Sequence, residues 1–258
     1  MSKSEKKDIG APIVRVHQTK EIKIENPLLV FGFPSAGLVG TIAANYLVEK
    51  FEMEQVAHVR SRFIPSAAIF IDGILKHPFR IYADDEQKLL VAVCEVPIDE
   101  EGISTISSEV LNWAKENGVN ESVILDGIPV QGIPRERKVL YAAEEEKIPE
   151  LEKIDGIELL QKGIITGIAG ALLADTLTND MIGFAFLTPT MAQLPDPEGA
   201  LKILEVIDKL YNFGIDMTEI KKHAEEVKEK LKEMAQQVQS MKQERSGKEG
   251  RDFRRYYA

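Results

Sequence analysis

The chain has 258 residues, 44% of them hydrophobic and 29% charged, with a net charge of −10 at neutral pH. That length and apolar content suffice for one large core. The acidic balance argues against nucleic acid, whose phosphates call for clustered Lys and Arg, and against anionic membranes.

The first residues, MSKSEKKDIG, are polar rather than signal-like, and no stretch of the chain reaches the roughly 18 apolar residues of a membrane span. A cytoplasmic protein is therefore expected, with a disordered tail over residues 1–10 and an extended segment over 13–24. Leu28-Leu29-Val30-Phe31-Gly32-Phe33 is a continuous apolar run that ends in Pro34-Ser35-Ala36-Gly37, the pattern of a buried strand entering a tight loop. Val39, Ile42, Ala43, Tyr46 and Leu47 then recur at helical spacing up to Phe51. Further strands are predicted over 56–59, 67–71, 79–82, 89–96, 122–125 and 181–187, and helices over 103–115, 167–177 and 197–212. Alternating strands and helices with such apolar strands imply an α/β fold, a three-layer α/β/α sandwich, as a single domain over 11–213. Cys94, the only cysteine, sits in the strand Leu89-Leu90-Val91-Ala92-Val93-Cys94, which excludes an internal disulfide and reads as buried packing.

Composition changes after Phe213-Gly214-Ile215, which ends a helix. Asp216 offers an N-cap for the next one, with Glu219 three residues later as its capping-box partner. Met217, Ile220, Ala224, Val227, Leu231, Met234, Val238 and Met241 then follow at three-four spacing among charged residues. A narrow seam of this kind predicts a long amphipathic helix within 214–245 that pairs with other helices and so supports oligomerisation. From 246 to 258 the chain turns Gly- and Ser-containing, a flexible tether. It ends in Arg254-Arg255-Tyr256-Tyr257-Ala258.

A hydrophobic residue, then tyrosine, then a residue bearing the terminal carboxylate resembles the C-terminus by which regulators insert into the α-ring of the proteasome core particle. The chemistry suits it. The carboxylate of Ala258 can pair with a lysine, the Tyr257 ring buries area while its hydroxyl keeps a hydrogen bond, and Tyr256 fills a shallow apolar site. Arg254 and Arg255 would steer the tail towards an acidic surface.

Catalytic signals are sparse. Residues 32–40 are neither a dinucleotide fingerprint, since Pro34 stands where the second glycine belongs, nor a Walker loop, nor a Gly-x-Ser-x-Gly elbow around Ser35. Their glycines read as tight-turn and packing residues, with anion binding at the helix start as the alternative. Asp126, at the end of an apolar strand, reads as a loop cap. His17, His58, His77 and His223 are scattered in sequence without metal spacing, so no metal, no cofactor and no catalytic residue are expected.

The segments Gly32 to Gly40, Phe63-Ile64-Pro65, Asp126-Gly127-Ile128-Pro129 and Gly167-Ile168-Ala169-Gly170-Ala171-Leu172-Leu173 together resemble the archaeal proteasome assembly chaperone family, related to the second eukaryotic assembly chaperone. The resemblance spans roughly residues 12–213. It implies a phosphorylase/hydrolase-like α/β/α sandwich without established catalysis, a homo-oligomer expected to be a tetramer or pentamer, and a proteasome partner engaged without ATP. The two alternatives are an oligomeric scaffold that does not bind the proteasome and a phosphate-binding or hydrolase-like enzyme on the same fold.

Overall fold

The computed structural model describes residues 13–71, 73–132, 134, 136–216, 218 and 221–222. The coiled-coil positions Met217, Ile220, Ala224, Val227, Leu231, Met234, Val238 and Met241 lie outside the described residues, as do Arg254, Arg255, Tyr256, Tyr257 and Ala258. At the threshold of that segment Asp216 accepts the Thr218 N–H at 2.8 Å.

In chain order the elements are β1 (Val14–Gln18), β2 (Leu28–Gly32), α1 (Val39–Lys50), β3 (Glu54–Ser61), β4 (Ile69–Ile71), β5 (Ile74–Lys76), β6 (Phe79–Asp84), β7 (Leu89–Cys94), α2 (Ile103–Glu116), β8 (Glu121–Pro129), β9 (Val139–Ala143), α3 (Ile148–Leu151), β10 (Ile157–Leu159), α4 (Gly167–Thr178), β11 (Ile182–Thr190) and α5 (Pro197–Tyr211). Nine strands form one sheet in the order β1-β3-β6-β7-β2-β8-β11-β9-β10, while β4 and β5 form a separate two-stranded hairpin. The centre is parallel, with β7, β2, β8 and β11 running together, and antiparallel strands extend it on both sides.

The parallel centre follows from the sequence. Parallel strands need crossover helices, which cover both faces and demand apolar residues on each. In β8, Val123 and Leu125 join the core shared with α1 and α5, and Ile124 joins the opposite core shared with α2 and α4. β2 and β7 are buried at every position. The three-layer α/β/α fold expected from the sequence is therefore what forms. Four elements escaped the sequence reading: β5, β9, α3 and β10. Each is short, and β9 and β10 lie at the sheet margin, where half-exposed residues break the continuous apolar signal.

Among the described residues no helix is long and apolar enough to cross a membrane.

Candidate functional site

The C-terminal ends of β2, β8 and β11 meet at one rim of the sheet, the place where open α/β folds gather ligand-binding loops. The turn from β2 to α1 passes through Gly37 at φ 63° and Leu38 at φ 51°, two consecutive left-handed residues. Glycine at 37 is required twice over: its φ is costly for other residues, and a Cβ would lie 2.3 Å from the Thr190 hydroxyl. The other glycines of the rim serve close packing. A Cβ on Gly40 would lie 2.1 Å from the Leu125 carbonyl oxygen, and one on Gly127 would lie 2.2 Å from that of Ala36. The glycines of residues 32–40 thus let the chain segments touch.

Two carboxylates tie this rim together. Asp126 accepts hydrogen bonds from the Ser35 hydroxyl and, at 2.6 Å, from the Gly127 N–H. It is the loop cap that the sequence suggests. Burial pushes its carboxyl above the usual carboxylate range, against the opposing pull of those two donors. Asp196 is buried and caps α5, where its Oδ1 takes the Gly199 N–H at 2.9 Å. Its Oδ2 takes the Thr190 hydroxyl at 2.7 Å and pairs with Arg137, whose Nε also reaches Glu198 at 3.3 Å. The Asp196 N–H donates to the Gly37 carbonyl at 2.7 Å, which joins the cap to the β2–α1 turn. Asp196 and Arg137 were not singled out from the sequence, although Asp196-Pro197 carries the signature of an N-cap followed by proline at the first helical position. Every polar group named here is engaged by another protein group, an arrangement suited to locking three loops together.

Cys94 is fully buried, and desolvation pushes its thiol up to about 12, so it stays protonated and unreactive at neutral pH.

The histidines correct the sequence reading. His17, His58 and His77 are scattered in sequence but stacked in space: the His58 and His77 centroids are 3.8 Å apart with planes 3° from parallel, and those of His17 and His58 are 5.1 Å apart at 10°. Strand register causes this, because His17 of β1 pairs with His58 of β3, which in turn pairs with Arg80 of β6. Arg80 is fully buried and donates to the His77 carbonyl at 2.6 Å, fixing the residue that follows β5. Burial first, then the neighbouring His77, His17 and Arg60, lower the His58 pKa to about 4. Ring nitrogens point within the ring plane, so parallel stacked imidazoles do not converge on a common metal position. Among the described residues no cluster of His, Cys, Asp or Glu could hold a metal ion. His223 lies outside them.

One cavity of about 440 Å³ opens on the opposite side of the molecule, lined by Ala142 of β9, the segment after β10 (Leu160, Gln161, Lys162, Gly163, Ile165) and Gly170 and Leu173 of α4.

Among solved structures, a protein of unknown function from Thermoplasma acidophilum is 38% identical, with a TM-score of 0.73 over 86% of this chain and 91% of that one. PbaA of Pyrococcus furiosus, an archaeal homolog of proteasome-assembly chaperone, is 26% identical, with a TM-score of 0.78 over 96% of this chain and 100% of its own. PbaB of Pyrococcus furiosus, an archaeal proteasome activator, shares the fold at 24% identity and a TM-score of 0.74, covering 86% of this chain and 98% of its own. The PAC2 family model matches residues 29–235, which takes in the sheet from the second residue of β2 onwards and every helix described above, and the chain belongs to the PAC2 family.

Proposed function

We propose that this chain is an ATP-independent assembly chaperone or activator of the proteasome, which docks the tail Tyr256-Tyr257-Ala258 into pockets of the proteasome α-ring. The observation that carries the proposal is the coincidence of two independent features. The body is similar along nearly its whole length to PbaA, a homolog of proteasome-assembly chaperone, and residues 256–258 read as a hydrophobic residue, a tyrosine and the alanine that would bear the terminal carboxylate. The tail supplies the chemistry of docking: a terminal charge for a lysine and a phenol that buries area without losing its hydrogen bond. Arg254 and Arg255 raise the rate at which the tail meets an acidic rim. Several tails carried by one homo-oligomer, a tetramer or pentamer, raise the effective concentration, so individually weak insertions sum to useful avidity. The chain has no Walker motif, in keeping with action that needs no nucleotide.

The experiment is a comparison of the full chain with a chain lacking residues 256–258, each mixed with archaeal core particles. Full-length protein is expected to co-migrate with the particle and to change peptide cleavage or α-ring assembly, and the truncation to abolish both. Co-migration that survives the truncation would remove the tail from the mechanism. Failure of the full-length chain to bind would leave an oligomeric scaffold.

A further inference from the structure

The margin of the sheet at β1 and β3 has two faces of different character. Val14, Val16, Val56 and Val59 pack on one of them, in the apolar core shared with α2. Side chains alternate along a strand, so Arg15, His17, His58 and Arg60 share the other face. The register matches them by type: Arg15 of β1 lies directly opposite Arg60 of β3, and His17 directly opposite His58. Like charges directly opposite one another destabilise a sheet, and both arginines are exposed. Among the described residues no ion pair includes either of them.

The surrounding strands offer no carboxylate to compensate. His77 lies flat on His58, and the charged or titratable groups that act on His58 are His77, His17 and Arg60, with no carboxylate among them. Its buried Nδ1 has no protein partner. The carboxylates of β3 and β6 are engaged elsewhere: Glu54 pairs with Lys20, roughly 20 Å along β3 from Arg60, and Asp84 accepts the Gln87 N–H at 2.7 Å. Glu95, beyond β7, is taken by Arg80 at 2.7 Å and by the Asn45 amide at 3.0 Å. Arg80 is itself fully engaged, its three nitrogens donating to Tyr82, His77 and Glu95. On a chain of net charge −10, Arg15 and Arg60 thus stand as an adjacent pair of cations without a counter-charge among the described residues.

We propose that this face of β1 and β3 binds a dianionic oxyanion of the phosphate class, held by the guanidinium groups of Arg15 and Arg60 beside the imidazole stack. Directly opposed residues have Cβ atoms about 5 Å apart, so both guanidinium groups start within reach of one tetrahedral anion. Each can give two parallel N–H donors to its oxygens, which the ammonium of a lysine does not. The anion turns a repulsive pair into a favourable one, and it favours a second proton on imidazoles that otherwise carry a single N–H. A small ligand fits better than a nucleic acid, because two arginines on an acidic chain neutralise one phosphate group and not a backbone. The site lies apart from the rim of Asp126 and does not depend on proteasome binding.

The test uses the full-length chain and sodium sulfate, against sodium chloride of equal ionic strength so that screening is matched. Titration calorimetry at neutral pH is expected to show saturable sulfate binding in the unaltered chain and a loss of about tenfold or more in Arg15→Gln with Arg60→Gln. Both positions are exposed, and circular dichroism checks that the variant is folded. Arg15→Lys with Arg60→Lys keeps the charge without the fork and is expected to bind with intermediate strength. Ring signals of isotope-labelled histidine locate the ion: those of His17, His58 and His77 are expected to move saturably with sulfate in the unaltered chain and to stay in place in the glutamine variant. Inorganic phosphate and glycerol phosphate, titrated in the same way, tell a free ion from an ester by which binds more tightly. No saturable binding, or histidine signals that sulfate leaves in place, would overturn the proposal. Equal binding by the glutamine variant would also overturn it and mean an adventitious ion only.

Discussion

The rim where β2, β8 and β11 end and the margin where β1, β3 and the β4–β5 hairpin lie are built on opposite plans. At the rim three loops are pressed so close that glycine is the only residue the backbone leaves room for, and Asp126 and Asp196 take up the donors between them. At the margin β1 and β3 lend Val14, Val56, Ala57 and Val59 to one apolar core and carry a stack of imidazoles, but no residue of the hairpin's two strands joins either core. The first plan gives one rigid arrangement. The second leaves apolar area available to something else.

The largest expected effect comes from making one substitution in both regions. Gly40→Ala places a Cβ 2.1 Å from the Leu125 carbonyl oxygen, and backbone on both sides leaves neither partner free to retreat. A loss of about 3 kcal/mol is expected, outweighing the roughly 1 kcal/mol that alanine returns through helix propensity. Gly73→Ala, at the hairpin turn with φ +76° and nothing within 4 Å of the new Cβ, is expected to cost only about 1 kcal/mol, the left-handed penalty alone. Urea titration of the two variants checks the pair. Equal losses would erase the distinction between a welded rim and an open margin.

This contrast also explains what the sequence made legible. β2, β7, β8 and β11 are readable because strands covered on both faces must be apolar throughout, and the glycines before α1 are readable as turn and packing residues because they sit between such a strand and a helix. Asp126 is readable as a cap for the same reason: it follows directly on Val123-Ile124-Leu125. The histidine stack is not, since its members come from β1, β3 and the residue after β5, and only the register of the edge strands brings them together. β9 and β10 escape because marginal strands borrow their stability from neighbours rather than from their own pattern.

The stack gives the margin a pH dependence of its own. His58 has its pKa lowered to about 4 in the folded chain, against 6.5 for an ordinary histidine. Between those values the unfolded chain binds more protons than the folded one. The contribution of His58 to stability is therefore whole above pH 6.5 and is lost as pH falls towards 4. Melting temperatures are expected to fall across that window, and His58→Gln to flatten the fall. An unchanged slope in the variant would mean that other groups set it.

The smallest effect is expected at Asp126, and its smallness is informative. Burial raises the pKa of its carboxyl, so ionising it in the folded chain is disfavoured and its contribution declines as pH rises above the usual carboxylate range. Asp126→Asn removes the ionisation while its amide oxygen can still accept from the Ser35 hydroxyl and the Gly127 N–H, which now meet the carboxylate. A purely capping residue should tolerate that exchange within about 0.5 kcal/mol at neutral pH and leave the proposed proteasome binding unaffected. A large loss of function with stability unchanged would instead mean that the charge of Asp126 acts on a ligand, and the rim would then have to be read as a site rather than as the weld that holds β2, β8 and β11 in place.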